Sequence, residues 1–304
     1  MSTAEHNDDI EDSSAPLIEH LAELRTRLIR SVLAFVVGMV ICFSVGGPIL
    51  DFLLVPIENT MRNLGNANPV MQYTAPQEYF FTLIRISMVG GLMISFPVIA
   101  YQLWRFVAPG LYRNEKNAFL PFLIASPALF LAGAAFAHFV VVPLAMAFFL
   151  GFADLPSFLG ALVANQGDVA SAVNDTGIDI VFNGKVNESL DITLKMIVAF
   201  GLCFQLPVLL TLMGKAGLAT ANGLRSTRKY AVVGILTVAA LVTPPDVTTQ
   251  LILFTVVYGL YEVSIFLVAR VEKKRNDDLR AQGLLDPEDD PMFAEFEEDD
   301  EAKK

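Results

Sequence analysis

Apolar residues fill whole stretches of this chain rather than one face of a helix or one side of a strand. Six such stretches follow one another, over about 29–46, 80–103, 119–142, 192–213, 230–243 and 247–268. A helix crosses about 30 Å of hydrocarbon with about 20 apolar residues at about 1.5 Å each. Segments one to four and six meet that length. The fifth, AVVGILTVAALVT, reaches only about 20 Å, so it either re-enters or spans where the bilayer is thinned. The tight TPPD connection after it holds no Lys or Arg, which favours two spans joined by a hairpin. The pattern predicts an all-α membrane protein with six transmembrane helices, the last two short.

Polar positions between the segments set the orientation. Lys and Arg gather in the N-terminal stretch, in links 105–116 and 214–229, and after the last segment. The 47–78 link holds only Arg62 and the 151–190 link only Lys185. Basic loops stay in the cytoplasm, so both termini are expected inside. Within 48–78, PILDFLLVPIENTM is expected as a half-helix lying flat as a cap. Within 151–190, IDIVF is a candidate short strand in an otherwise polar loop.

Pro97 interrupts the second segment, Pro121 and Pro127 the third, and Pro207 the fourth, while Pro143 ends the third. Each removes a backbone hydrogen bond and tends to bend its helix. Unequal, kinked helices are expected to build a concave, glove-like wall.

Directly before the first segment, LIEHLAELRTRLIR places Leu17, Leu21, Leu24 and Leu28 on one helical face. Glu23 and Arg27 form a favourable i,i+4 pair. Arg25, Arg27 and Arg30 suit anionic headgroups and hold the N-terminus inside. Glu19 and Glu23 are different, because an anionic leaflet repels them. A carboxylate kept there points to a cationic partner. Glu115 lies on the same side, and two acids can grip guanidinium groups by bidentate, charge-assisted hydrogen bonds.

Composition agrees with the pattern. The 304 residues are 54% hydrophobic and 17% charged, below the quarter typical of soluble domains. Much of the net charge of −11 lies in two acidic tails. The expected organisation is a disordered acidic tail over 1–15, a six-helix domain over 16–270 and a charged, acidic, disordered cytoplasmic tail over 271–304. The N-terminus opens acidic and no A-x-A site follows the first apolar run, so an uncleaved first span is expected.

Candidate chemistry is sparse. Cys42 and Cys203 lie in apolar runs and read as small core residues. His6, His20 and His138 are far apart, with no HExxH or CxxC spacing, so no metal site is expected. His138 reads as a satisfied helix-packing residue. No GxxxxGK[ST] loop occurs, and neither a catalytic constellation nor a cofactor is expected. Among polar groups at membrane depth, Arg85 and Lys195 read as snorkelling side chains, Asp246 as a helix N-cap and Glu262 as an interfacial acid. Gln205 allows either an interhelical hydrogen bond or a functional contact.

Four stretches carry a family resemblance: HLAELRTRL, FPVIAYQLWRFVAPGLYRNEK, FAHFVVVPLA and TPPDVTTQ. Together, from about Pro16 to Arg270, they resemble TatC, the polytopic receptor subunit of the twin-arginine protein translocase. The resemblance implies a non-enzymatic protein of the bacterial cytoplasmic (inner) membrane. It implies binding of twin-arginine signal peptides of folded precursors at the cytoplasmic face. It also implies assembly with single-span TatA- and TatB-type subunits, self-association in a receptor complex, and export driven by the proton-motive force. Lipids surround such a protein; nucleic acid is not an expected partner.

By motif, Glu23 and Glu115 match the acids linked to the arginine pair and Phe106 matches an aromatic beside them. Leu24, Arg25 and Arg27 match the cytoplasmic N-terminal motif. Gln205 matches the position where small partner subunits dock, Pro56 the proline of the first outer loop, and Asp246 the acid of the outer hairpin. Some relatives carry Glu where this chain has Gln205. Gln cannot ionise, so a hydrogen bond survives there and a titration does not. The alternatives are a small-solute secondary transporter, which calls for a repeat and paired broken helices, and an intramembrane enzyme, which calls for a catalytic constellation at depth.

Overall fold

A computed structural model describes residues 4–63, 66, 68–107, 120–152, 184–243 and 247–281. Apart from two short strands, its regular elements are helical. In chain order they are α1 (Ala4–Ser44), α2 (Gly46–Asn63), β1 (Met71–Gln72), α3 (Glu78–Val107), α4 (Leu120–Phe136), a π-helical turn (Ala137–Val141) and α5 (Val142–Phe152). There follow β2 (Gly184–Lys185), α6 (Val186–Cys203), α7 (Leu206–Lys215), α8 (Ala221–Ser226), α9 (Arg228–Val242) and α10 (Val247–Ala281).

Among the described residues, five helical runs are long and apolar enough to cross a membrane: Leu21–Ser44, Glu78–Phe106, Pro121–Gly151, Val186–Lys215 and Val247–Asp277. These are the first, second, third, fourth and sixth apolar segments. The fifth folds as α9, whose 15 residues reach only about 22 Å. The protein is therefore an all-helical, polytopic membrane protein. The backbone is helical from Ala4 and again to Ala281, into stretches where composition alone suggests tails. The IDIVF stretch lies outside the described residues.

Packing divides the chain into two compact units, Met1–Phe204 with Val238–Phe254, and Gln205–Thr237 with Thr255–Lys304. In the first unit, α1 lies against α3 through small residues. A Cβ on Gly38 would come within 2.8 Å of the Gly91 carbonyl oxygen, and one on Gly90 within 2.8 Å of Cys42 Sγ. In lipid no hydrophobic force drives helices together, so small residues that let backbones approach supply the association. The α4–α6 contact repeats the device. A Cβ on Gly133 would lie 2.5 Å from the Phe200 carbonyl oxygen, and one on Gly201 2.8 Å from the Phe130 ring. Phe130, fully buried, stacks on Phe96 of α3 with ring centroids 3.9 Å apart.

The half-helix expected in the first outer link is α2, which buries Leu50, Leu53, Ile57 and Met61 along one face. It packs on α5 and on the π-helical turn. Pro143 follows that turn and has no N–H to give, so the ladder widens just before it. The turn carries His138. It is 3% exposed and stacks on Phe52 at 4.5 Å. Packing is thus as expected, but among the described residues neither ring nitrogen has a hydrogen-bond partner.

Pro207 has a visible effect in the sequence of helices. The fourth apolar segment breaks at Phe204–Gln205, with Gln205 as N-cap of α7 and proline in its first turn. In the second unit, a Cβ on Gly214 would meet Val268 at 2.8 Å. Polar ties fasten the rest. Arg228 pairs with Glu262 at 2.7 Å. Tyr261 donates its hydroxyl to the Leu224 carbonyl at 2.7 Å. Glu272 accepts the Ala221 N–H at 3.0 Å, capping α8 from α10.

Candidate functional site

The amphipathic stretch before the first span is an uninterrupted part of α1. One turn apart, Arg27 donates Nε to Glu23 Oε1 at 3.0 Å and Nη2 to the same oxygen. The pair is asymmetric in exposure: Arg27 is 11% and Glu23 37% exposed. The acid is the accessible member. Leu24 and Arg25 are exposed beside it.

The α1–α3 register tells what lies level with this pair. Gly38 meets Gly91, and Gly46 meets Leu83. Both contacts fit one antiparallel register, in which each step toward the start of α1 is a step toward the end of α3. Fifteen residues before Gly38 is Glu23, and fifteen after Gly91 is Phe106. Each lies about 22 Å from the crossing, at the same level. Phe106 is half-buried. Close by along α3, Arg105 lies over the Tyr101 ring at 6.0 Å and donates to its hydroxyl at 3.3 Å.

This end of α3 also holds two residues that sequence reasoning passed over. Gln102 Oε1 and Trp104 Nε1 are buried without a hydrogen-bond partner among the described residues. Unpaired buried polar atoms are costly, and they directly precede the 108–119 link. A Gln inside the apolar run AYQLW is the signal that could have found the first. Glu115 in that link lies outside the described residues, as does Asp246.

Gln205 is half-buried, and its carbonyl accepts the Leu209 N–H at 2.9 Å. Pro56 is buried inside α2, where its carbonyl accepts the Thr60 hydroxyl at 2.8 Å. The links at the opposite end of the α1–α3 pair are braced twice. Met71–Gln72 pairs in parallel with Gly184–Lys185. Glu78 Oε2 accepts Thr74 N–H at 2.7 Å, its hydroxyl at 3.0 Å and Ala75 N–H at 3.3 Å. Partial desolvation, with Tyr79, Glu78 and Asp51 nearby, pushes the Tyr73 phenol upward.

At that same end, α3, α6 and the last residues of α9 line an open cavity of about 960 Å³. Arg85, Asp191 and Lys195 line it, with apolar walls that include Val89, Val198 and Leu202. Arg85 and Lys195 are therefore more than snorkelling cations, because both meet Asp191. Glu262, read as an interfacial acid, belongs to the second unit's ion pair with Arg228. Among the described residues no cluster of His, Cys, Asp or Glu is arranged to hold a metal.

The model of the family described as Sec-independent protein translocase protein (TatC) matches residues 19–255. The chain belongs to the TatC family. Relatives of the same name are 40% identical in Magnetococcus marinus, covering 91% of this chain and 92% of that one, and 38% identical in Aquifex aeolicus, covering 86% and 98%. A crystal structure of the twin-arginine translocase receptor TatC is similar at a TM-score of 0.66 and 36% identity, over 83% of this chain and 99% of that one. The family match takes in every candidate residue from Glu23 to Asp246.

Proposed function

We propose that this chain is the receptor and core subunit of a Sec-independent, twin-arginine protein translocase, a transport component and not an enzyme. It resides in the bacterial cytoplasmic membrane with both termini inside, as its distribution of Lys and Arg favours. At the cytoplasmic face it binds signal peptides bearing two consecutive arginines. With single-span TatA- and TatB-type subunits and further copies of itself, it exports folded precursors using the proton-motive force.

The observation that carries this reading is the common level of Glu23 and Phe106 at one end of the α1–α3 pair. An accessible carboxylate and an aromatic there suit a guanidinium, which takes bidentate hydrogen bonds and stacks on rings. Glu115, eight residues past Val107, supplies the second acid. Leu24 and Arg25 flank the signal peptide, and Arg27 holds Glu23 in place. Gln205, at a break between two helices, offers a partner helix a hydrogen bond that does not depend on pH. Pro56 and Asp246 fix the two outer links.

The test is photo-crosslinking from probes at Phe106 and Glu115 to a signal peptide carrying Arg-Arg or Lys-Lys, in membranes containing this protein. Crosslinks that require the arginines are expected. Equal crosslinking of both peptides, or none with the protein inserted, overturns the reading. For the orientation, a cysteine at Val247, where α10 begins exposed, should react with an impermeant reagent from outside. Labelling only from the cytoplasm contradicts the hairpin.

A further inference from the structure

The charged end of the cavity has no place in the receptor reading. Lys195 Nζ lies 2.6 Å from Asp191 Oδ2, Arg85 Nη1 3.7 Å from Asp191 Oδ1, and Arg85 Nη1 2.9 Å from Asn187 Oδ1. One carboxylate thus faces two cations, and the cluster carries one net positive charge. Beyond the cluster Lys185 and Glu188 offset each other, paired at 3.4 Å. Glu78 adds a negative charge on the far side of Asn187, held on the N–H groups of Thr74, Ala75 and Asn187, so the excess of positive charge is local to Arg85 and Lys195. Arg85 and Lys195 stay 48% and 64% exposed.

Depth narrows the ligand. The 29-residue run Glu78–Phe106 is about 44 Å long, so about 7 Å projects beyond each face of a 30 Å hydrocarbon layer. Arg85, seven residues in, has its backbone about 3 Å below that boundary. Its stem is long enough to lift the guanidinium to the headgroups. The contacts with Asn187 and Asp191 hold the α6 groups at the same level. From Asp191 the cavity wall continues along α6 to Leu202, about 16 Å toward the membrane interior. Val89, Val198, Leu202 and Leu241 make it apolar.

A net cation at headgroup depth above an apolar trough complements an anionic amphiphile. We infer that this cavity is a binding site for one anionic phospholipid, its phosphate on Arg85 and Lys195 and an acyl chain along α6. The volume of about 960 Å³ lies at the upper end of the range for specific ligand sites. A wholly apolar partner helix in the same place would strip solvent from both cations with only Asp191 to balance them. The inference requires only that the chain spans a membrane, so it stands or falls apart from signal-peptide binding.

The test is native mass spectrometry of the full-length, delipidated protein, titrated with phosphatidylglycerol or with phosphatidylcholine of the same chains. One net cation near a membrane surface favours an anionic lipid about fivefold, and one tightly held phosphatidylglycerol with that preference is expected. Arg85→Gln with Lys195→Gln should bring the two lipids to parity. Asp191→Asn, which removes the competing anion, should widen the preference, and it serves as the second measure if the double variant fails to fold. Equal retention by the parent overturns the site, as does weaker phosphatidylglycerol binding by Asp191→Asn. Displacement by millimolar inorganic phosphate would show that the free anion is the ligand. Exclusion of phosphatidylglycerol by a bound partner helix would give the cavity to that helix.

Discussion

Replacing Gly91 by Ala tests the backbone-to-backbone contact between α1 and α3. A Cβ there would lie 2.6 Å from Met39 N, 2.8 Å from Met39 Cα and 3.1 Å from Gly38 C. All three are backbone atoms, so no rotamer change relieves the clash. The helices must part by about 0.8 Å to bring the shortest contact out to the 3.4 Å of ordinary packing. A gap of that size forfeits about a quarter to a half of the dispersion energy of each pair across it. Overpacking of this kind costs about 1–3 kcal/mol, and in a bilayer no hydrophobic term compensates. Gly234→Ala is the control. Nothing lies within 4 Å of its added Cβ, and a mid-helix Gly→Ala gains about 0.5–1 kcal/mol. Thermal unfolding in one detergent should show Gly91→Ala below the parent and Gly234→Ala at or above it. Because the same contact sets Glu23 level with Phe106, the arginine-dependent crosslink should weaken as well. If Gly91→Ala unfolds with the parent, the α1–α3 register is wrong, and with it the argument for the peptide site.

Phe130→Leu should rescue Gly201→Ala, whose new methyl meets the Phe130 ring first, but not Gly133→Ala, which meets the Phe200 backbone; unfolding of the single and double variants decides. Phe130→Ala itself should cost about 3 kcal/mol or more, read from the same melts. His138→Phe keeps the stack on Phe52 and removes two nitrogens that have no partner among the described residues, so stability should hold or rise; a fall of several degrees would mean the imidazole has a partner. Arg228 and Glu262 are 45% and 34% exposed, so a double-mutant cycle should give a coupling below about 1 kcal/mol, and a much larger value would contradict a solvent-screened pair.

What the sequence made legible follows the range of each signal. Apolar runs locate the crossing helices because a bilayer demands length and composition of one continuous segment. The break at Phe204–Gln205 follows from Pro207, a local cause. Lys195 and Asp191 are four apart and could have been paired on the page. Arg85 could not, because more than a hundred residues separate it from Asp191. The Arg228–Glu262 pair is hidden for the same reason. Glu23 and Phe106 each stood out by motif, but their common level depends on which glycines of α1 and α3 meet, and nothing local chooses among them. The charged end of α10 reads as a tail because composition counts charges without their spacing; Asp277 and Arg280, three apart, are paired in the helix.

The two-residue ladder of β1 and β2 has a consequence in time. Its strands are about 110 residues apart in the chain. At about 5–20 residues per second, Met71 and Gln72 wait about 6–23 s during synthesis before Gly184 and Lys185 exist to pair with them. For that interval the brace between the two links is missing, and the α1–α3 pair is held by its glycine contact, by α2 and by the Phe96–Phe130 stack with α4. Those contacts are what a nascent chain relies on until α6 arrives.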